Sequence, residues 1–141
     1  MSVGGFAAGF SSGFEILERN KHMSAILKHG SPLMGNYTPA GAIAAAEVVE
    51  VGNIPVVAHD AIAASVLGAV ALRGGVYLGV AGEALTAGEK VYYNTTAGKF
   101  YDASGATTGD LMFGWVAPES SASADGDAIL VIHAPNGDVA S

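Results

Sequence analysis

Between residues 43 and 134 the chain meets turn chemistry about every ten residues, which leaves room for short strands and little else. The β-branched runs 46–51 and 54–58 are split by Gly52-Asn53, a hairpin or bend signal. Pro55 has no N–H, so its strand is expected to lie at a sheet edge or to begin there. Residues 66–72 and 76–80 read as a strand pair around Arg73-Gly74-Gly75. Residues 90–94 and 99–102 flank the loop Thr95-Thr96-Ala97-Gly98, and 111–117 and 128–133 flank a polar loop. After Pro32 no sustained helical period with caps is present, and the Ala-rich stretch 40–46 is the remaining helical candidate. The pattern predicts an all-β fold, a small β-sandwich or barrel over residues 41–135, followed by a flexible tail over 136–141.

Residues 1–40 read differently, as an extended, partly helical N-terminal arm and linker. Phe6, Phe10 and Phe14 stand at i, i+4 and i+8, the spacing of one helix face, but Gly4, Gly5, Gly9 and Gly13 between them would each cost a helix up to about 1 kcal/mol. The expectation is an arm that orders when its Phe side chains find pockets on a neighbour, with completion of its own core as the other reading. From Phe14 to Leu27 an amphipathic turn or two of helix is expected, stopped by Lys28-His29-Gly30-Ser31-Pro32. Arg19, Lys21 and Lys28 against Glu15 and Glu18 give residues 1–32 a net charge of +1, whereas the remainder of this −7 chain carries −8. A basic cluster on an acidic body suggests docking on something acidic, a sister subunit included, or simply a solvated face.

A chain of 141 residues fits one domain and can bury a core without disulfides or metal. Charged residues are 13% of it, about half the usual share, so much of the surface must be small or apolar, as on a protein that partners cover. A pI near 4.8 argues against a protein that grips nucleic acid phosphates. With no Cys there is no thiolate nucleophile and no Cys-based metal site. The first residues lack the positive and apolar regions of an export signal, so general export is not expected. The longest strongly apolar uncharged run, residues 61–72, is too short for a membrane-spanning helix, and no membrane partner is expected.

Candidate chemistry is sparse. His22, His29, His59 and His133 show no metal-ligand spacing and are expected in solvated or hydrogen-bonded structural roles. His59-Asp60 with a distant Ser makes a triad on paper, but no nucleophile-elbow sequence supports one. Asp102, Asp110, Glu119, Asp125 and Asp127 are spread through loops, and Asp125-Gly126-Asp127 reads as a turn before the last strand in preference to a cation loop. Gly74-Gly75 and Gly79-x-x-Gly82 match no phosphate-binding loop. Adjacent Tyr92 and Tyr93 point to opposite faces of a strand, so one is expected to meet solvent, a second sheet or a partner. No catalytic residue, metal or cofactor is expected.

The stretch ALRGGVYLGVAGEALTAGEKVYYNTTAGKFYDAS (residues 71–104), followed by 109–116 and 125–133, resembles the small capsid decoration, cement and head-fibre-like virion proteins of tailed phages. The matching positions are Gly75, Val76, Ala84, Leu85, Ala87, Gly88, Glu89, Val91, Tyr92, Tyr93, Asn94, Gly98, Lys99, Gly114 and the strand from Ile129 to Ile132. The resemblance implies a non-enzymatic β-domain on the outer surface of a phage capsid, assembled in the host cytoplasm. There it would bind the major capsid protein and copies of itself, commonly as a homotrimer, bridging subunits and stabilising the shell. Phe6, Phe10, Phe14, Arg19, Lys21, Lys28, Tyr92 and Tyr93 are the candidate interface residues; the long Phe/Gly-rich N-terminus departs from the family pattern. Two other classes stand beside this one. A head fibre or glycan-binding module would need an exposed aromatic groove, from Tyr92, Tyr101 and Trp115, and a small hydrolase at subunit junctions would need paired carboxylates with split pKa values.

Overall fold

A computed structural model describes residues 25–141, which contain ten strands and no helix. The strands are β1 (Ile26–His29), β2 (Leu33–Tyr37), β3 (Val48–Val51), β4 (Ile54–Val57), β5 (Gly68–Arg73), β6 (Val76–Val80), β7 (Lys90–Asn94), β8 (Lys99–Tyr101), β9 (Leu111–Val116) and β10 (Ala128–His133). They form a six-stranded sheet of order β1-β6-β10-β9-β7-β8 and a four-stranded sheet of order β2-β5-β4-β3, antiparallel throughout. The larger sheet curls until Ala81, just past β6, bridges Phe100 of β8 in parallel. The fold is thus a sandwich whose larger sheet rolls toward a barrel.

The core lies between the sheets. The six-stranded sheet contributes Tyr77, Val91, Tyr93, Phe100, Phe113, Val116, Ile129 and Val131, against Val48, Val57 and Ala71 of the other. Phe113 meets Tyr77, Tyr93 and Phe100 at centroid separations of 4.9–6.3 Å, the range of favourable aromatic pairs. Backbone proximity fixes one composition choice here: a Cβ at Gly114 of β9 would overlap the carbonyl oxygen of Ile132 on β10.

Three of the expected hairpins form: β3–β4 around Gly52-Asn53, β7–β8 around 95–98, and β9–β10 across the polar loop. The pair 66–72 and 76–80 does not, because β5 belongs to the small sheet and β6 to the large one. The chain crosses between sheets twice, at residues 30–32 and 74–75, and the two crossings touch backbone to backbone. A Cβ on Gly30 would stand 3.2 Å from the Gly75 Cα, and both glycines have φ near +90°. Hydrogen bonds from Gly74 N to His133 O and from His133 N to Gly75 O fasten the corner to β10.

Four other expectations are corrected. β4 is an inner strand; Pro55 is tolerated because β4 pairs with β5 only at Val57, two residues further on. The arm does not extend to residue 40: Ile26 and Leu27, expected at the end of a helical turn, pair with β6, and Leu33 to Tyr37 pair with β5. Pairing with β6, with Ala25 in the main core and Leu27 packed against it, outweighs the weak helical spacing there. Residues 40–46 form no helix; Ile43 bridges Ile62 and Ala46 takes φ 69°. The C-terminal residues are docked, not a flexible tail, since Val139 bridges Leu111, Ala140 is buried, and Asp138 pairs with Lys90 at 2.8 Å. The remainder of the expected arm, with Phe6, Phe10, Phe14, Arg19 and Lys21, lies outside the described residues.

Candidate functional site

Acidic side chains are what a hydrolase would draw on. Four of them end tetrapeptide turns of one design: Ala44–Glu47, Thr86–Glu89, Thr107–Asp110 and Ala124–Asp127. In each the fourth residue's N–H donates to the first residue's carbonyl, at 2.9–3.2 Å, and its carboxylate accepts the first residue's N–H, at 2.8–3.1 Å. The third residue, Ala46, Gly88, Gly109 or Gly126, has φ between 69° and 98°. Each turn leads directly into a strand, β3, β7, β9 or β10. A fifth turn, Ala63–Val66, repeats the backbone bond and the positive φ, at Ser65, without the acid. The carboxylates satisfy backbone donors that a sheet edge would leave open, the same economy as a helix capping box. Hydrogen bonds from Ser123 and Ala124 hold Asp127 below the ordinary carboxylate range. The signal available in sequence was a Gly or Ala and an acid immediately before each β-rich run.

One carboxylate pair has opposed titration. Burial, with Asp102 nearby, raises Glu83; burial also pushes Asp102 up, but hydrogen bonds from Gly105 N, Ser104 Oγ and Glu83 outweigh it and lower Asp102. Glu83 Oε2 accepts the Asp102 N–H at 2.7 Å, and Asp102 Oδ1 accepts from Ser104 Oγ and Gly105 N, both at 2.8 Å. These bonds fold the loop after β8, and neither groove described below includes the pair. Asp125 is ion-paired to Lys99 at 2.8 Å. Among the described residues no group of three or more His, Asp or Glu is placed to hold a metal.

Two of the four histidines, His59 and His133, make structural hydrogen bonds, and His22 lies outside the described residues. His133, at the end of β10, is buried, and its Nε2–H donates across the sandwich to the Pro55 carbonyl at 2.7 Å; Nδ1 has no partner among the described residues. Burial first, then Arg73 and His59, push its pKa down to about 4, so the ring is neutral at pH 7. His59 Nε2 bonds the Tyr77 hydroxyl at 2.7 Å, which ties it to the core and not to a Ser. Burial raises the Tyr77 hydroxyl, which stays protonated.

The expected interface residues separate. Tyr93 is in the main core, and Tyr92 on the other face packs with Met112 and Ala140. Neither offers a contact surface: Tyr93 faces the core, and Ala140 packs on the face of Tyr92 expected to be open. Tyr92 is therefore absent from any exposed aromatic groove; Tyr101 lies against Gly82, and Trp115 alone of the three is exposed. Lys28 is exposed on β1.

The apolar surface lies elsewhere. On the outer face of the four-stranded sheet, Leu33, Val51, Ile54, Val56 and Leu72 line a groove closed by Pro135 and Arg73. Leu33 is 59% exposed and Val51 38%. The other half of that face is covered, because the Ile43–Ile62 bridge packs on Val56, Val70 and Ala58. A smaller depression, among Ala25, Ile26, Leu27, Ala46 and His59, marks where the described chain begins. Sequence reading passed over Leu33 and Met34 as linker; the signal was two large apolar residues directly after a Gly-Ser-Pro turn.

The family model of the phage cement proteins matches residues 28–133. This chain belongs to that family. The match spans β1 from Lys28, every other strand, and the groove except Pro135. Membership makes the chain a phage structural protein associated with the capsid. No curated protein and no solved structure matches it.

Proposed function

We propose that this protein is a cement subunit on the outer surface of a phage head, which bridges neighbouring major capsid protein subunits and raises the barrier to shell rupture. It acts as a homotrimer and catalyses no reaction. Family membership carries the reading. The use of Glu47, Glu89, Asp110 and Asp127 as turn clamps supports it, because these four carboxylates are committed to backbone donors. An open apolar groove on a body with few charges also supports it. Each docked copy adds contact at a seam between capsomers, and bridging makes the second contact intramolecular. Phe6, Phe10, Phe14, Arg19, Lys21 and Lys28 supply intermolecular contacts, the Phe side chains each worth about 1.5–3 kcal/mol when fully covered.

Quantitative mass spectrometry of purified particles tests this. The expected result is a copy number equal to that of the major capsid protein or a simple fraction of it. A handful of copies would indicate a fibre or tail component, and absence from particles would overturn the proposal.

A further inference from the structure

The four-stranded sheet leaves one end of its outer face open and one edge unguarded. Four strands lie at sheet edges among the described residues: β1 and β8 in the large sheet, β2 and β3 in the small one. β1 carries Lys28, β8 Lys99 and β3 Glu50, charges that discourage pairing with another chain. β2, Leu-Met-Gly-Asn-Tyr, carries none, and its Leu33 and Met34 are 59% and 41% exposed. Leu33 is also the lip of the groove formed with Val51, Ile54, Val56 and Leu72. An uncharged edge beside an apolar groove fits an extended, uncharged segment with large apolar side chains.

Outside the described residues the chain carries an uncharged stretch with such side chains. Residues 1–14, MSVGGFAAGFSSGF, have no charged side chain, carry Phe6, Phe10 and Phe14, and include four glycines that allow close passage along a backbone. We infer that residues 1–14 of a second copy of this chain occupy the groove beside β2, so that each subunit gives a segment at one end and receives one at the other.

The argument for a second copy is directional. Ala25 bonds the carbonyl of Ala46, beside the start of β3 and near His59, just past the end of β4. The groove is at the opposite ends of those strands, by Val51 and Ile54. A segment returning to its own groove would have to reverse at Ala25 and pass the half of the outer face that Ile43 and Ile62 already cover. The ten residues between Phe14 and Ala25 span about 35 Å when extended, enough to leave the body and reach a neighbour. Donor at one end and acceptor at the other is a heterologous contact, which closes into a ring when the rotation permits. This inference rests on the oligomeric part of the proposed function and gives the trimer its contact.

The test uses the full chain before any exposure to capsids. A copy carrying the photocrosslinker benzoylphenylalanine in place of Phe10 is co-expressed with an affinity-tagged, otherwise unaltered copy, and complexes are captured through the tag and irradiated. The expected major photoproduct joins position 10 of one chain to Leu33, Val51, Ile54 or Leu72 of the tagged chain. Leu33→Glu with Val51→Glu in the tagged copy, both at exposed positions, should lower its yield about tenfold or more. Crosslinks within one chain, crosslinks to any other surface, or no co-capture would each overturn the inference, whether or not the double variant folds. Particle copy number is read independently: interchain crosslinks with no copies in particles would sink the cement reading alone, and full occupancy without them would sink this inference alone.

Discussion

The two sheets use their side chains differently. The six-stranded sheet holds Tyr77, Tyr92, Tyr93, Phe100, Tyr101, Phe113 and Trp115, whereas the four-stranded sheet has Tyr37 as its single aromatic and otherwise packs Val, Ala, Leu and Ile. The large sheet encloses most of its aromatics, and even its outer-face Tyr92 is covered by the C-terminal residues, with Trp115 left exposed. The small sheet contributes Val48, Val57 and Ala71 to that core and leaves part of its other face open. The difference separates stability from contact: one sheet anchors the fold and the other presents surface.

The sharpest way to break that division is to truncate one residue of each kind. Phe113→Ala removes a fully buried ring from the centre of the aromatic cluster and should cost about 4 kcal/mol. Val51→Ala, at the groove lip, should stay within about 0.5 kcal/mol. Urea unfolding of the two variants measures both. Similar losses would mean that the groove face is part of the load path of the fold.

One side-chain hydrogen bond between the sheets, His133 to the Pro55 carbonyl, titrates with a marked shift. His133 has its folded pKa depressed from 6.5 to about 4, so the unfolded chain takes up the proton first as pH falls. Stability should therefore decline from about pH 6.5 downward and level off below about pH 4, by about 3 kcal/mol in all. His133→Gln keeps an N–H for Pro55 and removes the titration, and its unfolding free energy should lose that portion of the slope. An unchanged slope would place the acid sensitivity in carboxylates and leave the link between sheets insensitive to pH.

The turn cadence and the β-branched runs located eight of the ten strands, because local chemistry decides where an extended run stops. β1 and β2 were missed for the opposite reason: their partners, β6 and β5, lie roughly thirty to fifty residues away, and the one local mark is the apolar pair Leu33-Met34 after the turn that precedes β2. The edge placement of Pro55 failed by the same blindness, since a strand can be internal and yet lack a partner on one side of one residue near its start. The family could be read from residues 71–133, where turns and strands alternate in a recognisable order. The groove could not, because it assembles Leu33, Val51, Ile54 and Leu72 from four strands. Tyr92 shows the limit of alternation: it tells which side chains share a face, and not whether a terminus folds over that face.

The turn clamps supply the finest comparison, since each sheet has one that differs in a single backbone choice. Thr86–Glu89 enters the large sheet with Gly88 at φ 80°, and Ala44–Glu47 enters the small sheet with Ala46 at φ 69°. No atom lies within 4 Å of where a Cβ on Gly88 would stand, so Gly88→Ala tests backbone conformation without a clash. It should cost about 1 kcal/mol, the strain of a left-handed Ala partly offset by a less flexible unfolded chain. Ala46→Gly runs the same exchange backwards and should stabilise by about 0.5 kcal/mol. Ala46 also donates to Ala58 and accepts from Ala25, so a gain there would show that the strain is removable without loosening the point where the N-terminal segment joins the body. A loss instead would mean that Ala46 holds this junction by restricting it, and that the small sheet carries strain where the large one carries none.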